Sequence, residues 1–234
     1  MHDIRVSVVV PAFNEEARIE RCLESIKAQT LKPYEIILGD GSSTDKTRQI
    51  AKKYVTKITI QKKRSASTQR QGAAAAAKGS IIAFIDSDTV ADRNWLKKTV
   101  EKFESDPAVV GVYGSVQFFD GSWFDKLMAN IFNIYIGISG AVGFPAPAGM
   151  NMAARADAFK RIGGFNTSLN TAEDLDLFKR LKRTGRIKFS NAIVYTSARR
   201  IKRWGYPKFI FYHLSNLVHF RLRNGAHAHF ENIR

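Results

Sequence analysis

Short continuous apolar runs alternate along this chain with segments whose apolar positions recur at helical spacing. Residues 5–10 and 80–85 are unbroken and rich in β-branched side chains, as in strands buried on both faces. Residues 34–38 and 56–60 predict two further strands. Residues 44–54 and the alanine-rich 67–78 read as helices, and another runs from a cap at Asp92 to about Ser105. Behind the first strand, Asn14 is placed to cap a helix, with Glu15 and Glu16 in its first turn against the positive dipole end. Ile19, Cys22, Leu23 and Ile26 share one face of that helix, which makes Cys22 a core thiol. This βαβα order predicts an α/β fold: a mostly parallel, Rossmann-like sheet with right-handed crossovers, flanked by helices. Ligands of such sheets bind at the carboxyl ends of the strands.

The second half is less regular. Residues 127–154 carry no charge, but asparagines, prolines and glycines interrupt them. A membrane-spanning helix needs about 20 apolar residues in a row, so a packed helix followed by a substrate loop is expected instead. Residues 204–223 mix Trp204, Tyr206, Phe209, Phe211, Tyr212 and Phe220 with Lys208, Arg221 and Arg223. That mixture fits a helix lying at a bilayer surface, or one docked on the core. The expected organisation is a domain over 1–203 and a basic, aromatic, amphipathic helical extension over 204–234, leading in a longer protein to a membrane segment.

Charge sharpens this division. The net charge is +16; up to Asp176 there are 23 basic and 20 acidic residues, and beyond it 14 basic residues and one acid, Glu231. A cationic end attracts phospholipid headgroups, phosphates or nucleic acid. No nucleic-acid motif accompanies it, so no nucleic-acid partner is expected. The single cysteine excludes an intramolecular disulfide and a thiolate zinc site. The opening residues lack the pattern of a secretion signal.

Candidate chemistry lies at strand ends. Asp86, Ser87 and Asp88 follow the 80–85 strand, where two carboxylates can bend toward one Mg²⁺ or Mn²⁺ that shares its shell with phosphates. The same pair also has an ordinary reading as turn or cap. Pro11, Ala12, Phe13, Asn14 and Glu15 end the first strand, and Asp40 ends the second; each loop could hold a nucleobase, or be turn chemistry alone. Arg70 precedes the Asp86 strand, where a guanidinium could meet a phosphate. Glu173 and Asp174 open a helical stretch, placed there for the dipole or, near a reaction centre, to take a proton.

Taken together and in order, PAFNEE, ILGDGSSTDKT, RQGAAAAAKGSIIAFIDSD, FKRIGGF, AEDLDLFKRL and RRIKRW resemble the motifs of family-2 glycosyltransferases. The resemblance runs from about Val6 to Trp204 and implies an inverting enzyme of the GT-A fold. It implies that Asp86 and Asp88 hold the metal, Mn²⁺ or Mg²⁺, and that Asp174 beside Glu173 is the catalytic base. It places the PAFNEE loop and Asp40 on the nucleoside, Arg70 near the ribose and phosphates, and Arg203 and Trp204 near acceptor and diphosphate. Arg200 stands where the last motif has Gln, which argues against a processive polymerase, and Gln71 stands where Asn is common. Likeness to lipid-directed members implies GDP-mannose first and UDP-glucose second as donor, and a lipid-linked acceptor at the cytoplasmic face of a membrane. A hydroxyl acceptor is favoured over the polyprenyl phosphate of dolichol-phosphate-mannose-type synthases, because an ionised phosphate needs no base. A sugar-phosphate nucleotidyltransferase is a distant alternative, disfavoured by PAFNEE, which is not its glycine-rich phosphate loop.

Overall fold

The computed structural model describes residues 4–169 and 171–223; for Arg200, 212–214 and 216–223 the description stops at the backbone. The elements are β1 (Val6–Ala12), α1 (Ile19–Lys27), β2 (Glu35–Asp40), α2 (Thr47–Ala51), β3 (Lys57–Ile60), α3 (Ala66–Ala75), β4 (Ile81–Phe84) and β5 (Val90–Ala91). There follow α4 (Trp95–Glu104), β6 (Val109–Phe118), α5 (Trp123–Ala141), β7 (Met152–Arg155), α6 (Ala156–Arg161), α7 (Glu173–Leu181), β8 (Arg186–Thr196) and α8 (Arg199–Arg223).

One eight-stranded sheet has the order β3-β2-β1-β4-β7-β6-β8-β5. β1, β2, β3 and β4 run parallel, as the first-half pattern requires. β7 is antiparallel to both β4 and β6, and β6 and β8 are parallel to each other. β7 reverses because the loop after α5 returns the chain to the edge where β4 ends: Met152, the first residue of β7, pairs with Phe84, the last of β4. The sheet is therefore mixed and mostly parallel, flanked by helices.

Both faces of β1 are buried, which explains its unbroken apolar sequence. Val6, Val8 and Val10 join Ile19, Cys22, Leu23, Ile26, Trp95 and Phe103 on one side. Val9 joins Ala73, Ala74, Phe84, Phe159 and Phe178 on the other. Cys22 is a buried core thiol, and its Sγ donates to the Asp86 carbonyl.

Several boundaries differ from expectation. Asn14 does not cap α1, which begins only at Ile19. Its backbone takes φ 53°, and its side-chain oxygen accepts from Thr44 N at 2.9 Å. Asp92 likewise sits ahead of α4, accepting from Asn94 N at 3.0 Å in a local turn. The helix expected over 44–54 shrinks to the five residues of α2, and the side chains of Asp45 and Thr47 at its start accept from the neighbouring loop. α5 packs on β6 and β8 as expected, but through a narrow side only: Asp125, Ala129, Ile136 and Ser139 are buried, and most of its apolar side chains are exposed. α8 is broken at Gly205 (φ 73°, ψ 160°), with Pro207 just beyond.

Candidate active site

β1, β2 and β4 end at one edge of the sheet; Ala12 pairs with Asp40 there, and the chain leaves β4 into Ile85, Asp86, Ser87 and Asp88. Glycine lets α3 lie directly on β2. A Cβ on Gly39 would fall 2.3 Å from the Gln69 carbonyl oxygen, so only glycine tolerates that approach. The close seat carries the next residue, Arg70, to the end of β4.

Arg70 is 3% exposed and bridges two acids. Its Nη2 donates to Asp86 Oδ1 and its Nη1 to Glu173 Oε1, both at 2.6 Å. The two carboxylates hold the guanidinium firmly protonated against the cost of its burial. Asp86 and the first turn of α7 thus face one another across a single side chain.

Asp174 sits beside Glu173 in that first turn, after Ala172 in the left-handed region (φ 58°). Its carboxylate accepts from Leu175 N at 2.8 Å and from Gly149 N. Withdrawal from water, and next the negative charge of Glu173, push the Asp174 carboxyl up to about 7, against the pull of Arg70 and the two N–H groups. Glu173 spends an oxygen on Arg70; Asp174 is the acid poised near neutrality.

Asp88 is held from another direction. Arg199, the first residue of α8, donates from Nη2 to Asp88 Oδ2 at 2.8 Å, while its Nη1 is buried without a hydrogen-bond partner among the described residues. Burial and the charge of Asp88 raise the Glu15 carboxyl, which Arg18 and Arg199 pull down. Ser87 between the two aspartates is buried.

On the other flank, two loops are clamped together. Asn14 N donates to Ser43 Oγ at 3.0 Å, Glu15 N to Thr47 Oγ1 at 2.8 Å, and Glu16 N to Asp45 Oδ2 at 3.1 Å. Pro11 and Ala12 are buried at the base of this clamp, and Phe13 lies under the Arg64 guanidinium, 4.6 Å from its ring centre. Asp40 is wholly buried. Its Oδ2 accepts from Ser43 N at 3.0 Å, whereas Oδ1 has no partner among the described residues. An orphaned buried acceptor at a ligand-binding edge calls for a donor from outside the protein.

Sequence reasoning nominated Arg203 and Trp204 from the last motif. Arg203 is exposed, and Trp204 is half-buried with the Lys208 ammonium 5.2 Å from its ring centre. The cation at Asp88 is instead Arg199, one helical turn earlier, which was not nominated although RRIKRW begins with it. Two other contributors were missed. Gly149 brings its N–H to Asp174, and a Cβ there would lie 2.8 Å from Arg70 Nη2. Asn151 accepts from Trp95 Nε1 at 2.8 Å and donates to the Ser115 and Ala192 carbonyls, where the β6–β8 register slips. It thereby anchors the end of the Gly149 loop. Nothing in an uncharged stretch distinguishes these two positions from their neighbours. Gln71, the departure from Asn, holds the chain at Phe165 by accepting from its N–H at 2.8 Å.

The acids fit a hard divalent ion that phosphate completes. Asp86 and Asp88 each give one oxygen to an arginine, and no group of three or more His, Cys, Asp or Glu that could hold an ion by itself occurs among the described residues. Mg²⁺ and Mn²⁺ characteristically take one or two carboxylates and fill the shell from substrate.

The model of the family described as Glycosyl transferase family 2 matches residues 7–163. The chain belongs to glycosyltransferase family 2. The match includes the clamped loops, Arg70 and the Asp86–Asp88 pair, and stops short of Glu173 and Asp174. Among curated relatives of this glycosyltransferase, AglE of Haloferax volcanii is 32% identical over 48% of this chain and 40% of its own length. The succinoglycan biosynthesis protein ExoA of Rhizobium meliloti is 30% identical over 76% of this chain and 58% of its own length. The chain therefore spans about half the length of these two relatives. The fold is GT-A. A mannosyltransferase from Pyrobaculum calidifontis, solved with GDP-Man and Mn²⁺, superposes with a TM-score of 0.72 at 22% identity, covering 87% of this chain and 61% of that one. TarS of S. aureus, solved with UDP-GlcNAc, superposes at 0.66 and 20% identity, covering 95% and 67%.

Proposed function

We propose that this glycosyltransferase is inverting and metal-dependent, moving a hexose, mannose before glucose, from a nucleotide diphosphate sugar to a hydroxyl of a lipid-linked acceptor at the cytoplasmic face of a membrane. The observation that carries the reading is the Arg70 bridge, which sets Asp86 opposite Glu173 and so brings Asp174, with its raised carboxyl, to the same edge.

The residues divide the work. Asp40 Oδ1 accepts a base N–H and Phe13 packs on the base, which places the diphosphate toward Asp86 and Asp88. Asp86 and Asp88 would hold Mn²⁺ or Mg²⁺, which would supply positive charge against the departing diphosphate. Arg199 stands beside Asp88 to add to it. Asp174 takes the proton of the acceptor hydroxyl as that oxygen attacks the anomeric carbon from the face opposite the leaving group. A general base acts best with a pKa near the working pH, and the environment of Asp174 supplies that. No covalent enzyme intermediate is required. Arg70 engages a carboxylate oxygen of Glu173, so that Asp174 alone serves as base.

A raised base favours a hydroxyl over an ionised phosphate as acceptor. The preference for GDP-mannose draws support from the mannosyltransferase with GDP-Man among the structural relatives; TarS with UDP-GlcNAc keeps uridine donors in play. The test is a screen of nucleotide sugars against a lipid extract with Mn²⁺, with products identified by mass. A hexose added to a lipid hydroxyl is expected. Transfer to polyprenyl phosphate alone, or to no lipid, would overturn the acceptor assignment.

A further inference from the structure

α5 reverses the usual arrangement of a surface helix. Its nineteen residues bury a narrow side made of Asp125, Ala129, Ile136 and Ser139. At about 100° per residue, Trp123, Leu127, Ile131, Ile134, Tyr135 and Ile138 fall on one arc of about 120° on the other side, and all six are exposed, Trp123 at 76% and Ile134 at 62%. Water gains nothing from this surface, and apolar patches of such extent mark interaction sites. The helix is nonetheless firmly built. Ser122 and Asp125 form a capping box, and Tyr113 donates to the Ile136 carbonyl at 2.9 Å.

The patch continues onto α8. Phe124 meets Tyr206 edge-on at 5.2 Å between ring centres, and beyond the Gly205 break Phe211 is 74% exposed. Beside α5 an open hollow of about 520 Å³ is walled by Ile134, Ile138, Phe189 and Ile193. Its amides are already engaged: Gln117 donates to Asn130, and Asn133 pairs with the backbone of Val116. The hollow therefore offers apolar walls to whatever enters.

We propose that the exposed face of α5, continued by the start of α8, docks onto an anionic lipid bilayer, its apolar arc entering the acyl boundary. Charge selects this occupant. The exposed charged side chains around the patch include Lys126, Arg203 and Lys208; Asp125, the one acid within α5, is buried in its cap, and Asp120 just ahead of α5 is engaged by Lys202, Ser197 and Ala198. A second copy of the chain would bring the same cations against themselves, whereas anionic headgroups complement them. Tryptophan and tyrosine on the arc suit the interface between headgroups and acyl chains. No described helix is long and apolar enough to cross a membrane, so this contact lies in the plane of the surface. The inference rests on the lipid-linked acceptor above for its purpose and carries the docking role from the C-terminal extension to α5.

The test uses the full chain with vesicles of phosphatidylcholine alone or mixed with phosphatidylglycerol. Ile134→Cys is labelled with an environment-sensitive fluorophore, Cys22 being buried and its thiol pushed up by burial and the neighbouring aspartates. The label should brighten and shift blue on mixed vesicles and respond less on phosphatidylcholine. Ile131→Glu with Ile134→Glu should lose about tenfold or more of vesicle affinity at unchanged melting temperature and unchanged Mn²⁺-dependent nucleoside diphosphate binding. Equal vesicle affinity of that variant overturns the proposal, as does a concentration-dependent dimer that the same variant abolishes. Loss of nucleotide binding in the wild-type chain would sink the catalytic reading while leaving this one standing.

Discussion

The Arg199 guanidinium lies 2.8 Å from the Asp88 carboxylate, although the two residues are 111 positions apart. This contact ties the start of α8 to the turn after β4 and places a permanent cation where a diphosphate would leave. Arg199→Met should lower turnover about tenfold or more without weakening Mn²⁺ binding in the absence of nucleotide, since the arginine competes with the ion for Asp88. Initial rates with calorimetric Mn²⁺ titration measure both. Unchanged turnover would remove Arg199 from the site.

Asp174 predicts a pH dependence of defined sign. Its carboxyl is raised by burial and by Glu173 to about 7, and only the deprotonated form accepts a proton. The transfer rate should therefore climb as pH rises toward about 7 and level off above it. For stability the sign is opposite. Between the unfolded value of about 3.9 and the folded one, the folded chain binds more protons than the unfolded chain, so this group's contribution falls as pH rises. Asp174→Asn should be more stable than wild type above pH 7. Rate profiles and urea melts across pH 5–9 check both; a rate flat with pH would contradict the base assignment.

Asp40 offers a sharper probe of the nucleoside side. Its Oδ1 is buried without a partner among the described residues, and Oδ2 already serves Ser43. Asp40→Asn keeps the shape but can present a donor where an acceptor is needed. Nucleoside diphosphate affinity should fall about tenfold or more, read by titration with Mn²⁺ present. Unaltered affinity would place the base elsewhere.

Asn151 is predicted to matter for stability. It is buried and engages Trp95, Ser115 and Ala192 through its side chain. Asn151→Ala leaves these groups unpaired in the core and should cost about 2–4 kcal/mol in denaturant unfolding. A change under about 0.5 kcal/mol would show that water or local shifts replace it.

Strands β1, β2 and β4 could be read from the chain because burial on both faces leaves apolar runs, β3 because its β-branched residues suit an edge strand although none of them is fully buried, and α3 because alanine packs closely on the sheet. The antiparallel β7 could not: its four residues, Met152–Arg155, follow a long uncharged stretch whose composition suits helix, loop or strand. α5 illustrates the same limit, since its apolar residues predicted packing and most face outward. In the site, Asp86, Asp88, Asp40, Arg70 and Glu173–Asp174 stood out because charge at strand ends and helix starts is conspicuous. Gly149 acts through its backbone N–H, which leaves no mark in local sequence, and Arg199, though it opens RRIKRW, through an approach to Asp88 that only the fold creates.

The most direct measurement is the transfer rate of Asp174→Asn at saturating donor and acceptor, together with its nucleoside diphosphate affinity in Mn²⁺. The account predicts a fall of about 100-fold or more in rate with affinity unchanged. A variant that transfers sugar at the wild-type rate would contradict it.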